Sequence, residues 1–387
     1  MNIHLSILNR KHNNKYFKGC CDLKILHIIP TLESGGAEKM LVDLVEEMKK
    51  SGVWVEVLVL SDSEDFYSER IRELKIPIHF SPVNKVYHLL QIKVIKEYLS
   101  RDFDIVHAHL FAPQLYVAYV TQFMGGKTTL ITTEHNTHNR RREKRYFKLI
   151  DSWMYKKYTK IIANTEGTKE EMISYLPKMA TRTVVVHNGI RIAQYLRAKP
   201  LERKELVRNY RENDILIVMI AAMREQKDYE TLIRASALLP DNYHILLVGM
   251  GERLNEVKEY AKEYGTSKIS FMGRRSDVPS ILKSCDIFVL SSKWEGFGLV
   301  AVEAMAAGLP IIVSDVTGLR EVVEGVGTFF EVGNEEDLKR QILKTPIEPL
   351  EGKEFNSEKK RKMHMYSIEK MVLNYLQVYN EATGEKK

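Results

Sequence analysis

Short apolar runs alternate with longer helical patterns along both halves of this 387-residue chain. Such runs are typical of buried strands, and strands that alternate with helices form parallel sheets with crossover connections. The strand candidates are KILHIIP, VWVEVLVL, IPIHF, DIVHAHL, TLITTEH, KIIANT and TVVVHNG, then DILIVMIAAM, YHILLVGMG, ISFMG, IFVLSS and PIIVSD. The pattern therefore predicts an α/β fold with two Rossmann-like domains in series.

The predicted organisation has four parts. Residues 1–22 mix polar and basic residues through any apolar stretch, so they lack the apolar segment of a secretory signal and form an extension. The first domain covers 23–190, because the strand pattern stops after HNGI, and the second covers 191–365. Residues 366–387 have the pattern of one amphipathic helix, whose apolar stripe is Ile368, Met371, Val372, Tyr375 and Val378.

Cysteine usage and hydropathy favour a cytoplasmic protein. Cys20 and Cys21 are adjacent and Cys285 is distant, a spacing that suits neither a disulfide framework nor a zinc site. No apolar run approaches the roughly 18–20 residues that a membrane-spanning helix needs.

The net charge of +7 comes from the first half of the chain. Residues 1–190 contain 28 Lys and Arg against 21 Asp and Glu, whereas the remainder contains 30 of each. The densest cluster is Arg140, Arg141, Arg142, Lys144 and Arg145. It fits a solvated helix face, or a surface for anionic lipid or a phosphorylated acceptor at the inner face of a membrane. Nucleic acid is not expected, because no nucleic-acid-binding motif accompanies the charge.

Polar and glycine-rich segments follow the strand candidates, which is where open α/β sheets bind ligands. Gly35 and Gly36 precede the helix predicted at 36–50, where backbone can approach a phosphate closely, although an ordinary helix start has the same pattern. His135 ends the fifth run, so its imidazole can donate to a phosphate or a sugar hydroxyl.

The second half repeats this arrangement. Lys227 follows a strand, and its ammonium group is a point charge that can neutralise a phosphate. A lysine at such a position can also be an ordinary surface residue. Glycines and arginines follow the next two strands at Gly249, Gly251, Gly273, Arg274 and Arg275.

One segment, EGFGLVAVEAMAAG, surrounds a carboxylate with small and apolar residues. An unpartnered buried carboxylate costs several kcal/mol, so Glu303 needs either an internal arginine or a ligand. Glu295 lies in the loop before the predicted helix, and two carboxylates can accept hydrogen bonds from vicinal hydroxyls of a ribose or a sugar. The backbone amides of 296–299 are suited to phosphate or ligand hydroxyls.

We predict no metal. His107 with His109, and His135 with His138, are conceivable ligand pairs, but we expect alternating strand residues to point their rings to opposite faces. The segment DFD at 102–104 leads into a strand and makes no metal-binding loop.

From about residue 23 onward the chain resembles glycosyltransferase family 4, the retaining sugar-nucleotide-dependent enzymes of the GT-B fold. The motifs occur in the family's order, from ILHIIPTLESGGAEKMLVDL through TTEH, VHNGI and REQKDYETLIRA to EGFGLVAVEAMAAGLPIIVSD. The resemblance implies two domains facing across a cleft and a final helix that packs back on the first domain. It also implies transfer from a nucleoside-diphosphate sugar, UDP-sugar favoured, to a glycan or lipid-linked saccharide in cell-surface polysaccharide synthesis, with no cofactor.

The resemblance also implies residue roles. Glu303 would bind the ribose hydroxyls, and Glu295 would contact the transferred sugar, helped by backbone at Phe297, Gly298 and Leu299. Lys227 would neutralise the diphosphate, which Gly36 approaches, and His135 would lie near the donor sugar. Gly273 and Arg274 would border the base.

Two positions depart from the family pattern. Ala222 replaces the arginine usually found five residues before the lysine, for which Arg224 is the nearby substitute, and Arg191 follows the NGI motif in place of aspartate. The alternatives are an inactive, sugar-nucleotide-binding partner subunit of a polysaccharide assembly complex, which the alanine favours, and a GT-B-like sugar-nucleotide epimerase or glucan synthase.

Overall fold

The computed structural model describes residues 23–33, 35–62, 65–124, 128–135, 140–264, 267–347 and 356–384. Within them the chain divides into two compact units. The first unit contains the described residues up to His135, those from 140 to Asn188, and the chain from Ile368 onward; the second runs from Gly189 to Ser367. The predicted extension at 1–22, with Cys20 and Cys21, lies outside the described residues.

The first unit is a parallel sheet of seven strands in the order β3-β2-β1-β4-β5-β6-β7. Its strands are β1 (Lys24–Ile29), β2 (Trp54–Val59), β3 (Ile78–Phe80), β4 (Ile105–His109), β5 (Thr129–Glu134), β6 (Lys160–Ala163) and β7 (Thr183–Val185). Its helices up to β7 are α1 (Gly36–Lys50), α2 (Ser68–Glu73), α3 (Leu90–Leu99), α4 (Phe111–Thr121), α5 (Phe147–Tyr155) and α6 (Glu166–Tyr175). All seven predicted strands are confirmed, as is the helix at 36–50.

The second unit is a parallel sheet of six strands in the order β10-β9-β8-β11-β12-β13. Its strands are β8 (Ile215–Ile220), β9 (Tyr243–Val248), β10 (Ile269–Gly273), β11 (Ile287–Leu290), β12 (Ile311–Ser314) and β13 (Thr328–Phe330). Its helices are α7 (Ile192–Arg197), α8 (Arg203–Leu206), α9 (Tyr229–Ala237), α10 (Leu254–Glu263), α11 (Val278–Ser284), α12 (Leu299–Ala307), α13 (Thr317–Val323), α14 (Glu335–Lys344) and α15 (Ser357–Met365). The prediction missed β13, in which two adjacent apolar residues, Phe329 and Phe330, form neither an alternating pattern nor a longer apolar run.

Helix α16 (Ile368–Gly384) comes last in the chain but belongs to the first unit, where it packs against α1. Its predicted stripe is buried, since each of its side chains is 7% exposed or less: Ile368, Met371, Val372, Tyr375 and Val378. No helix in the described ranges combines the length and apolar character needed to cross a bilayer.

Each sheet reverses its strand order at one place. In the first unit β1 pairs with both β2 and β4, and in the second β8 pairs with both β9 and β11. The connections that leave the strands there diverge to opposite faces, which opens a crevice at the carboxyl edge of the sheet. Ligand groups are therefore expected just after β1 and β4, and just after β8 and β11.

Candidate functional site

Two predicted site residues meet at the strand-order reversal of the second unit. Lys227 ends a 3-10 turn, Glu225–Lys227, that follows β8, and Glu295 lies in the loop that follows β11. The Lys227 Nζ forms an ion pair with Glu295 Oε2, and the Ser292 hydroxyl donates to the same oxygen at 3.3 Å. The two charged side chains are only 15% and 12% exposed, so the ion pair lies in a mostly dry environment.

Hydrogen bonds join the 3-10 turn that ends at Lys227 to the loop after β11 that contains Glu295, called the glutamate loop below. The Gln226 side-chain amide donates to the Trp294 carbonyl, and the Lys293 N–H donates to the Gln226 carbonyl, both at 2.8 Å. The buried Ser291 hydroxyl donates to the carbonyls of Lys227 and of the following residue at 3.0 and 2.9 Å. These hydrogen bonds hold the backbone at Lys227 and the backbone at Glu295 in fixed positions relative to each other.

Two glycines let the glutamate loop close against the helices. A Cβ on Gly318, in α13, would lie 2.1 Å from the Glu295 carbonyl oxygen, so only glycine allows this approach. Gly298 has φ +80°, and a Cβ there would lie 2.4 Å from Leu319 Cδ2. Gly298 belongs to the predicted set, whereas sequence reasoning missed Gly318, which stands in the short motif DVTGL.

Helix α12 begins directly after Gly298, at Leu299, and ends at Ala307, before Gly308, whose φ is +94°. The first N–H groups of a helix have no acceptor inside the helix, so this end can bind an anion. Glu303 lies in α12 and is 3% exposed. Phe297 packs its ring edge-on against Tyr366 at 5.2 Å, so its predicted contribution is limited to its backbone.

The other predicted donor residues lie at the ends of β8, β9 and β10. Gly249 has φ +145°, and a Cβ there would lie 1.9 Å from the Ala221 carbonyl oxygen. Its N–H donates to the carbonyl of Gly273 at 2.8 Å. Arg224 and Arg274 are exposed.

Arg275 forms a two-contact ion pair with Asp277, with distances of 2.6 and 2.8 Å. That ion pair supplies the main partner of its guanidinium.

The candidates of the first unit are Gly35, Gly36 and His135. Gly35 precedes the first residue of α1 in extended backbone, and a Cβ on Gly36 would meet nothing within 4 Å among the described residues. Sequence reasoning missed Leu110, directly after β4, which has φ +64°. A leucine rarely adopts this conformation, and such strain often marks a functional site.

His135 follows β5, and its carbonyl accepts a hydrogen bond from the Asn164 side chain at 3.0 Å. Burial lowers the pKa of His135 to about 4, so the imidazole is neutral near pH 7. Its buried Nε2 has no hydrogen-bond partner within the described structure.

The expectation about the strand histidines was wrong. His107 and His109 stack their rings with centroids 4.1 Å apart, because alternate residues of a strand share a face. Together with His27 they bring ring nitrogens within 4.8 Å of one another, all fully buried. Both nitrogens of His107 already have hydrogen-bond partners, the hydroxyls of Thr133 at 2.8 Å and Tyr379 at 2.6 Å. His138 lies outside the described residues.

The basic cluster is only partly solvated, because two of its arginines are paired with carboxylates and largely buried. Arg142 pairs with Glu134 at 2.9 Å and Arg141 with the fully buried Asp151 at 3.4 Å, and both arginine side chains are under 15% exposed. Burial opposes ionisation of Glu134, but Arg142 and Arg141, together with hydrogen bonds from Tyr155 and Gln114, hold its pKa below the ordinary value.

The exposed part of this cluster continues into α5. Lys144, Arg145 and Lys148 are exposed, and they alternate with Tyr146 and Leu149, which are 57% and 77% exposed. Large apolar side chains interleaved with cations are typical of interfacial helices.

Two family models match this chain. Residues 202–363 match "Glycosyl transferases group 1", and residues 34–194 match "Glycosyltransferase Family 4". The chain is 26% identical over 268 residues to the Escherichia coli UDP-Gal:alpha-D-GlcNAc-diphosphoundecaprenol alpha-1,3-galactosyltransferase, covering 66% of this chain and 69% of the relative. A second relative is the Campylobacter jejuni N-acetylgalactosamine-N,N'-diacetylbacillosaminyl-diphospho-undecaprenol 4-alpha-N-acetylgalactosaminyltransferase, 26% identical over 83% of this chain and 89% of the relative.

A solved structure shares the fold. Anabaena HepE, in complex with UDP and glucose, superposes with a TM-score of 0.77 at 18% identity, covering 92% of this chain and 98% of that one.

Proposed function

This chain is a group 1 glycosyltransferase of the family 4 type with the GT-B fold, and we propose that it transfers a sugar from a UDP-sugar to a lipid-linked saccharide with retention of configuration. The observation that carries the proposal is the meeting of Lys227 and Glu295 at the strand-order reversal of the second unit. A cation there suits the leaving diphosphate, and a carboxylate suits the hydroxyls of the transferred sugar.

The proposed reaction separates a nucleoside diphosphate from the anomeric carbon through a transition state with oxocarbenium character. Negative charge then grows on the diphosphate, so fixed cations and helix N-termini lower the barrier. Lys227 and the N-terminus of α12 supply this stabilisation, and in the proposal they do so without a metal ion. His135, neutral near pH 7, is proposed to hydrogen-bond the donor.

In the proposal Glu303 holds the ribose. Its carboxylate accepts from both ribose hydroxyls, and a hydrogen bond to a charged group contributes more than one to a neutral group. Glu303→Gln should therefore weaken UDP binding by about tenfold, the equivalent of one lost charged hydrogen bond. Isothermal calorimetry with UDP measures this, and unchanged affinity would remove Glu303 from the ribose site.

The acceptor proposal is supported by the surface around α5. Both curated relatives named above have a diphospho-undecaprenol compound in their names. The exposed Tyr146 and Leu149, flanked by Lys144, Arg145 and Lys148, suit the headgroup layer of an anionic membrane in which such an acceptor would lie.

The proposed activity is tested with a panel of UDP-, GDP- and ADP-sugars, with and without a lipid-diphosphate-linked saccharide. We expect release of UDP that depends on the acceptor. Binding of a sugar nucleotide without release would favour the inactive partner subunit, which the alanine at position 222 also favours. Isomerised sugar without release would favour the epimerase.

The proposed contact between the surface around α5 and an anionic membrane is tested by sedimentation with vesicles of phosphatidylglycerol or of phosphatidylcholine alone. We expect binding to the anionic vesicles only, and Leu149→Ser should weaken it. Leu343→Ser is the matched control, because it removes an exposed leucine from α14 of the other unit. Equal binding to both kinds of vesicle would contradict an electrostatic membrane contact.

A further inference from the structure

The two charged residues of the proposed donor site neutralise each other in this structure. Lys227 Nζ and the Ser292 hydroxyl share one oxygen of Glu295, the first as an ion pair and the second as a hydrogen bond of 3.3 Å. In the proposed function, on which this inference rests, the lysine serves the diphosphate and the carboxylate serves the sugar. One ammonium group cannot hold its carboxylate partner and neutralise a diphosphate equally well.

We infer that the Lys227–Glu295 ion pair is a resting state that the donor diphosphate opens, and that Ser292 is a positioning residue that keeps Glu295 in place once the lysine has turned to the phosphates. Lys227 is the partner able to move, because its charge ends a flexible four-carbon stem. A diphosphate carries more negative charge than one carboxylate, so it competes effectively for the ammonium.

Glu295 is held where it is by its loop. The close approach of Gly318 to the Glu295 carbonyl and the hydrogen bond from Gln226 to Trp294 leave the loop little room. Ser292 is fully buried, and its carbonyl accepts from the Ser314 hydroxyl at 2.5 Å, which fixes it to the neighbouring strand β12. Its hydroxyl therefore stays within reach of Glu295 when the lysine leaves.

A resting ion pair weakens donor binding, because the attraction between Lys227 and Glu295 must be lost before Lys227 can hold the phosphates. Glu295→Gln keeps the size of the side chain and removes its charge. This variant should bind UDP about five- to tenfold more tightly than the wild type, at the lower end of the range for typical coupling free energies. The same variant should transfer sugar more slowly, because the carboxylate is lost from the sugar site.

The first experiment is calorimetric titration of UDP into the wild type, Glu295→Gln and Glu259→Gln. The last is the matched control, since Glu259 forms an exposed ion pair with Lys262 in the same unit. In a Lys227→Gln background, titrated at millimolar UDP, the Glu295→Gln change should not increase the affinity for UDP, because no lysine remains to be released.

Three results would count against these statements. If UDP, GDP and ADP all fail to bind the wild type, the proposed function fails and this inference with it. If UDP binds the wild type and Glu295→Gln equally, only the inference is overturned. A gain that persists in the Lys227→Gln background would mean that the carboxylate simply repels phosphate, which also overturns it.

The role of Ser292 is tested by Ser292→Ala with the best UDP-sugar of the panel. We expect kcat to fall by roughly tenfold, as for one lost charged hydrogen bond, with the donor KM unchanged. In the Glu295→Gln background the same change should have little further effect. An equal loss of kcat in both backgrounds, or a loss explained by a lower Tm, would assign Ser292 a purely structural role.

Discussion

Three fully buried histidines and one partly buried histidine lie near the strand-order reversal of the first sheet: His27 on β1, His107 and His109 on β4, and His135 after β5. Burial lowers the pKa of His27 to about 3 and that of His135 to about 4. Burial, together with the neighbouring imidazoles, also lowers the pKa of His107 and of His109 well below the usual value. The folded chain therefore keeps these rings neutral where the unfolded chain protonates them.

The sign of the resulting pH dependence follows from the lowered pKa values. Their contribution to stability is fully present above about pH 6.5, the pKa of a histidine in the unfolded chain, and is lost as the pH falls toward the folded values. For His27 alone the loss between pH 7 and pH 5 is about 2 kcal/mol. Glutamine at position 27 should remove that part of the pH dependence.

Urea unfolding at pH 7 and pH 5 measures this difference for the wild type, His27→Gln and the control His364→Gln, which changes an exposed histidine. The slope with pH, not the absolute stability, is the readout. Identical slopes for the wild type and His27→Gln would mean that His27 has the same pKa in the folded chain as in the unfolded chain.

At the scale of elements, the second unit holds its candidate site between two short segments, the 3-10 turn after β8 and the loop after β11. Neither has regular structure of its own beyond one turn. The loop after β11 packs against helix α13, where Gly318 lies directly against the Glu295 carbonyl, and hydrogen bonds join the 3-10 turn to that loop. The loop is therefore only as well positioned as the helix beneath it.

Gly318→Ala tests that dependence. The added Cβ would lie 2.1 Å from the Glu295 carbonyl oxygen, so the loop must shift. Because a misplacement of about 1 Å can cost a hundredfold in rate, we expect at least tenfold slower transfer. Gly384→Ala is the control, since a Cβ there meets nothing within 4 Å. Unchanged transfer in Gly318→Ala would show that the loop position does not limit the reaction.

The other strands were predictable from their apolar runs or alternating patterns. Strand β13 was not, because its only apolar residues are the adjacent pair Phe329 and Phe330. Arg141 and Arg142 were misjudged for a different reason. Arg141 pairs with Asp151, ten residues later in α5, and Arg142 pairs with Glu134, eight residues earlier at the end of β5. No local charge pattern indicates such pairing. Lys227 and Glu295, 68 positions apart, meet only because β8 and β11 are neighbours in the sheet.

At the scale of the whole molecule, the first unit is built from two separated parts of the chain. Helix α16 covers His107 of β4, since the Tyr379 hydroxyl lies 2.6 Å from His107 Nδ1 and the Tyr375 hydroxyl lies 3.4 Å from the Thr133 hydroxyl. Helix α16 therefore follows the whole second unit in the sequence, although it belongs to the first unit.

Tyr379→Phe should weaken the first unit selectively. Loss of the hydroxyl leaves a buried imidazole nitrogen without its partner, which costs about 1–3 kcal/mol. Hydrogen exchange should become faster in β4 and stay unchanged in β8. Tyr264→Phe, at a tyrosine that is 42% exposed in the second unit, is the control. Equal changes in β4 and β8 would mean that the two units unfold together.

The position of α16 also has a consequence for synthesis. A ribosome produces the chain in order, and domains usually fold as soon as they have emerged. Here the whole second unit is translated before α16 is available to cover β4. The sheet of the first unit therefore keeps an apolar surface and the imidazole of His107 uncovered until α16 has been synthesised. The sheet of the second unit, although synthesised later, can already fold by then.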